Sequence, residues 1–249
     1  MARDLRTPPP TAGAPAEPLP PPGATPRIRA WELGPFAALL ALVYEVEARH
    51  FWPHGWLRIP WGDWAAHAYR ARFLDAWGLV NWTPDWNAGF PLFQAYQTAP
   101  HVLTVALARL ADISITHSMM VWTSVMLLYP VAGYVFLRLT GAGPWGALLG
   151  GVLLFDTASA GPPVYDFSYL FGMAMLPALF WFAVKGMGTA AGYAGAILLG
   201  MSPYFHPYAS IAAAAVILVR LVLDRFRVRW HTMLQGVVAV LVSAFYWLP

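Results

Sequence analysis

Asp63, His67 and Arg70 stand at positions i, i+4 and i+7 in the stretch PWGDWAAHAYRARFLDAWGLVNWTPDWNAGFPLFQAY, residues 60–96. On a helix starting at Trp64 they share one face. An acid, an imidazole and a guanidinium held together can take a proton from a hydroxyl, relay it, and neutralise an anion. Arg72, Asp75 and Asp85 add charge to a segment crowded with tryptophan. Charge is costly in hydrocarbon, whereas Trp and Tyr gather where lipid meets water, so the segment reads as interfacial. Each residue also has a purely structural reading. Asp63 suits the N-cap of a helix beginning at Trp64. His67 could simply bond a loop. Arg70 and Arg72 either grip a phosphate or snorkel into headgroups.

The elements that must position these groups are apolar helices. Of the 249 residues, 59% are hydrophobic and only 11% charged, which departs from the globular balance and points to a polytopic membrane protein. An open sheet edge cannot be satisfied in lipid, so the expected class is all-α. The absence of cysteine rules out disulfide frameworks, thiolate metal sites and cysteine nucleophiles. The formal charge of +3 arises from arginines at a few junctions, a topology signal rather than a nucleic-acid footprint. Residues 1–29 are rich in Pro and Ala and lack the apolar core of a signal peptide. They read as a disordered, partly polyproline tail, with a proline-recognition motif as a further use.

In chain order, Arg27 and Arg29 precede a first apolar run at 33–47 and hold the tail in the cytoplasm. Residues 99–111 are too few for an ordinary span and read as a second interfacial helix, with Arg109 towards headgroups. Runs at 118–137, 145–158, 167–184, 189–201, 208–223 and 232–248 then alternate across the bilayer. GPPVYD at 161–166 and SPYFHP at 202–207 form outer turns. Together these make about seven spans, with the two interfacial helices in the first outer loop. This registration puts Arg138, Lys185, Arg225, Arg227 and Arg229 inside and Asp63, His67, Asp85, Asp166 and His206 outside. Were 99–111 a true span, every later loop would flip. Gly146 and Gly150 have the spacing of close helix packing. His50 and His54 also have helical spacing, but Pro53 between them argues against a metal-binding pair.

The run from Gly62 to Leu107 resembles the first outer loop of GT-C type glycosyltransferases. It is most similar to the bacterial membrane proteins described as 6-pyruvoyl-tetrahydropterin synthase-related. The shared pattern is an Asp and a His in an interfacial helix, then WTP, GFP and a Tyr before a second such helix. It continues through RLTG at 138–141, LPALFWF at 176–182, YFHP at 204–207 and AFYWLP at 244–249. The resemblance implies a GT-C-like membrane module over residues 30–249, truncated at its C-terminal end. It also implies transfer of a sugar from a polyprenyl-phosphate donor to an acceptor at the outer face of the bacterial inner membrane. Asp63, His67 and Asp166 would be catalytic, with Asp63 and Asp166 able to hold a Mg or Mn ion. Arg70, Arg72, Asp85 and His206 would bind the lipid phosphate. Membrane lipids are the expected partners, and nucleic acid is not. A lipid or solute transporter, or a non-catalytic scaffold of the same fold, are the alternatives.

Overall fold

A computed structural model describes residues 30–46, 64–79, 97–159 and 167–247, and the described residues form helices joined by turns, with no strand among them. The elements are α1 (Leu33–Val46), α2 (Trp64–Trp77), α3 (Ala99–Ala111), α4 (Ile115–Met126), α5 (Tyr129–Leu139) and α6 (Pro144–Ser159). They continue with α7 (Phe167–Trp181), α8 (Gly192–Phe205), α9 (Pro207–Leu223) and α10 (Trp230–Trp247). All-helical architecture was expected from composition. Two stretches, Ile115–Leu139 with 25 residues and Phe167–Gly186 with 20, are long and apolar enough to cross a bilayer.

Ser114 caps α4 by accepting from the His117 backbone N–H at 3.1 Å. The helix then runs to Leu127, where Pro130 cannot donate a backbone bond, and α5 resumes after a tightened turn. The Leu127 N–H still bonds Thr123 O at 2.8 Å, so one long apolar rod results, bent but unbroken. Pro177 lies inside α7 without ending it, and Phe182–Gly186 continues the helix as a wider π turn.

The main core gathers α1, α2, α3, α4, α5, α7 and α9 around Phe167, Leu170, Phe171, Met119 and Tyr129. A smaller cluster of Leu39, Tyr134 and Ala147 joins α1, α5 and α6. Gly151 lets them close: a Cβ there would sit 3.0 Å from Pro130 O and 2.9 Å from Leu39. Gly146 meets nothing nearby, so the close approach expected of the Gly146–Gly150 pair belongs to Gly150 and Gly151 instead. Glu32, just before α1, is buried and forms an ion pair with the half-buried Arg138 at the end of α5, 2.6 Å apart.

Against expectation, SPYFHP is mostly helical. Residues 202–205 complete α8 with Pro203 inside it, and the reversal is compressed into His206, whose extended backbone (φ −163°) also opens α9. Pro203 has no N–H for Leu199 O, and the Ser202 hydroxyl donates to that carbonyl instead, at 2.7 Å. At the opposite end, Gln235 of α10 reads the loop before α8. It accepts from the Gly188 N–H at 3.0 Å and donates to Thr189 O at 2.7 Å.

Candidate functional site: a buried histidine couple

Helix α2 buries Trp64, His67, Arg70, Ala71 and Leu74 on one stripe, the spacing of a helix face. His67 is 1% exposed and Arg70 2%. Opposite His67 stands His101 in the first turn of α3, also 1% exposed. Thr98 O accepts the backbone N–H groups of His101 and Val102, each at 3.1 Å, which starts the helix and fixes this turn.

His101 Nδ1 lies 2.8 Å from Gln97 O, and His67 Nδ1 lies 2.9 Å from His101 Nε2. A carbonyl can only accept, so His101 Nδ1 carries a proton. With both rings neutral, His101 Nε2 therefore accepts from His67 Nδ1–H, and the lone pair of the couple resides on His67 Nε2. The ring centroids are 5.1 Å apart with planes at 19°. Faces in contact would stand about 3.5 Å apart, more than this N···N distance, so the rings meet edge to edge, nearly in one plane. The shared line holds a proton and leaves no gap for an ion between the two nitrogens.

Aromatic rings wall off the couple. Phe167, the first residue of α7, lies 5.8 Å from His67 and 5.2 Å from Trp64 by ring centroids. Phe171 meets Phe167 edge-on at 5.2 Å, and Trp122 lies 5.7 Å beyond it. Three hydrogen bonds fix α3 beneath. Ser118 donates to Thr104 O at 2.7 Å, Trp122 to Leu103 O at 3.1 Å, and Thr104 to Pro100 O at 2.8 Å. Arg109, expected towards headgroups, instead clasps Asp75 across the α2–α3 pair. It bonds Asp75 Oδ1 at 2.8 Å and Asp75 O at 2.7 Å.

The remaining residues singled out in the sequence fall in different places. Arg72 is on the exposed face of α2, with Nη2 3.4 Å from Thr116 Oγ1. It is thus about 200° round the helix from Arg70, and the two do not converge. His206 caps α9 by accepting from the Tyr208 N–H at 3.3 Å, and it is 6% exposed. Its ring meets Tyr169 at 5.3 Å and Tyr208 at 4.9 Å, and its Cβ would be 2.7 Å from a Cβ at Gly172. Tyr169 and Gly172 lie about 140–200° round α7 from Phe167, so His206 occupies another side of that helix from His67. Asp63, Asp85 and Asp166 lie outside the described residues. Among the described residues, no group of three or more His, Cys, Asp or Glu could hold a metal ion.

His101 is the residue that sequence reasoning missed. It lies 34 positions from His67, a separation that no helical or loop spacing encodes. The one hint was its place beside Pro100 at the start of the second amphipathic segment.

The two ends of the bundle differ in chemistry. His67 meets the first residue of α7, whereas Arg220 donates to Val184 O, beyond the last turn of the same helix. The 20 residues of Phe167–Gly186 span about 30 Å, the thickness of a bilayer's hydrocarbon core. Set against family models, curated proteins and solved structures, the chain matches none.

Proposed function

We propose that the chain is a polytopic membrane protein of about seven spans, with α2 and α3 lying in the outer interface, and that it transfers a sugar from a polyprenyl-phosphate donor. The bacterial inner membrane, with the N-terminus in the cytoplasm, is its proposed location. The observation that carries this reading is the buried His67–His101 couple with Arg70 on the same face of α2. Trp64 and Phe167, in ring contact at 5.2 Å, close the apolar wall beside His67.

The chemistry assigned to it is simple. An acceptor hydroxyl gives its proton to Asp63 or to the lone pair of His67 as its oxygen bonds the anomeric carbon. The bond from that carbon to the donor phosphate oxygen breaks, and the departing polyprenyl phosphate is neutralised by Arg70. His101 and the Gln97 carbonyl hold His67 in the accepting tautomer. A Mg or Mn ion on Asp63 and Asp166 would supply further charge relief at the phosphate. Arg72, Asp85 and His206 are proposed only to border the lipid phosphate. An apolar groove of about 550 Å³ between α1, α5 and α7, lined by Phe36, Val131, Pro177 and Trp181 among others, would take part of the prenyl chain.

A second reading has its own support. Buried imidazoles joined end to end also serve proton relays in transporters, so a proton-coupled lipid or solute carrier is the competing function. Membranes carrying the protein should therefore be assayed with labelled polyprenyl-phosphate sugars, wild type beside Asp63→Asn. The variant keeps the shape of the side chain and should reach the membrane normally, yet lose transfer by at least about 100-fold. Full transfer by the variant removes Asp63 from the reaction. Proton-driven uptake into proteoliposomes without transfer would favour the carrier.

A further inference from the structure

At the end of the bundle away from the histidines, α9 closes and α10 begins around a cavity of about 590 Å³. Arg220, Arg225, Arg227 and Arg229 line it, with Asp224 the one acid among the lining residues. Asp224 is already engaged by Arg220 at 2.7 Å. Among the described residues, no carboxylate pairs with Arg225, Arg227 or Arg229. The turn is also built in an unusual way. Arg225 (φ 52°) and Phe226 (φ 55°) are consecutive non-glycine residues in the left-handed region, which side chains with a Cβ disfavour. Local hydrogen bonds enforce the shape: Phe226 N–H reaches Leu221 O at 2.7 Å, and Arg227 N–H reaches Asp224 O at 3.1 Å. This turn sets three arginines, without a carboxylate partner among the described residues, along the lining of one concavity.

The cavity also receives the start of α10, through Arg229 and Thr232. That 18-residue helix carries no acidic side chain in its first turn, so its positive dipole end is left for an anion. Charge alone would satisfy a topology signal, for which scattered lysines serve as well. Topology does not call for a cavity, a left-handed pair and a helix N-terminus assembled at one point.

We propose that this cavity binds a phosphate group, held by the guanidinium groups of Arg225, Arg227 and Arg229 and by the first turn of α10. The chemistry fits an anionic phospholipid headgroup or a soluble phosphate equally, since both offer the same oxygens to arginine. The proposal is independent of the sugar-transfer reading, because the cavity lies at the other end of the bundle.

Native mass spectrometry of the detergent-purified full chain tests it, with phosphatidylglycerol and inorganic pyrophosphate as separate probes and phosphatidylcholine as control. Wild type should bind one probe, and R225Q/R227Q should bind it at least tenfold more weakly. Retention of phosphatidylglycerol alone assigns a lipid headgroup, and pyrophosphate binding assigns a soluble phosphate. R225K/R227K/R229K keeps the charge, and with it the orientation set by that charge, but loses the planar fork. It should still bind severalfold more weakly, with orientation checked by labelling an introduced cysteine, since the chain has none of its own. If neither probe binds above the control, or the glutamine and lysine variants bind as wild type does, the site does not exist.

Discussion

Replacing His101 separates its two hydrogen bonds, because asparagine and glutamine each reproduce one of the imidazole nitrogens. Asparagine places its amide near the position of Nδ1 and can still donate to Gln97 O. Its reach falls short of His67. Glutamine extends to the position of Nε2 and can accept from His67 Nδ1–H, but leaves Gln97 O. His67 is buried and Gln97 partly so, and each lost bond leaves a polar group short of a partner, at a cost of about 1–3 kcal/mol. His101→Ala loses both bonds and leaves a cavity beside the His67 ring, which should bring the total to about 3–5 kcal/mol. Thermal unfolding followed by circular dichroism in detergent should rank the variants wild type, then Gln and Asn, then Ala. Transfer should follow a different order. Only glutamine keeps His67 in the accepting tautomer, so His101→Gln should retain most activity and His101→Asn lose about tenfold or more. If Asn and Gln variants are equally active and equally stable, the end-to-end couple does not orient His67.

Three other outcomes follow from packing. Glu32→Ala takes the carboxylate from a half-buried Arg138 guanidinium and should cost about 1–3 kcal/mol. Converting both residues to methionine should recover most of that loss in the same unfolding measurement. Gly172→Ala drives a Cβ towards His206 Cβ, for which the ideal separation is 2.7 Å, and should cost about 1–3 kcal/mol. Arg109→Ala removes an exposed clasp and should change unfolding by less than about 1 kcal/mol, a control for surface pairs.

Much of the helical layout was legible because apolar runs and their breakers are local signals. The second amphipathic helix, Ala99–Ala111, has the boundaries read from the sequence, since Pro100 marks its start and Asp112 closes it in a left-handed turn. The stripe of His67 and Arg70 on α2 was equally readable from spacing. Three things were not. The turn at SPYFHP reads as a loop because it holds Pro203 and Pro207, yet Pro207 opens α9, where no N–H is needed, and the Ser202 hydroxyl serves the carbonyl that Pro203 leaves open. Arg72 was grouped with Arg70 by proximity in sequence, whereas 200° of rotation separates them on the helix. His101 escaped altogether, because the pairing of α2 with α3 is a tertiary fact.

The contacts around α3 bear on the disposition of the whole chain. Its first turn touches His67, and its middle is bonded by Ser118 and Trp122, both in the opening turns of α4. So α3 stays at the histidine end, and the rod of α4 and α5 then travels the length of the bundle to Arg138. Had α3 run that length itself, α4 would start at the other end and Arg138 would return to the histidines. Instead Leu139 and Trp181 line the same groove, which places the ends of α5 and α7 together. Arg220 meets Val184 and Arg229 borders Gly188, so the later arginines join that end as well. Three reversals of the chain, α5–α6, α7–α8 and α9–α10, thus gather Arg138, Lys185 and the arginines from Arg220 to Arg229 at one pole, while the imidazole couple stands at the other with Arg70, Arg72 and Arg109. The shared groove and the backbone bonds fix this layout without any counting of loop charges.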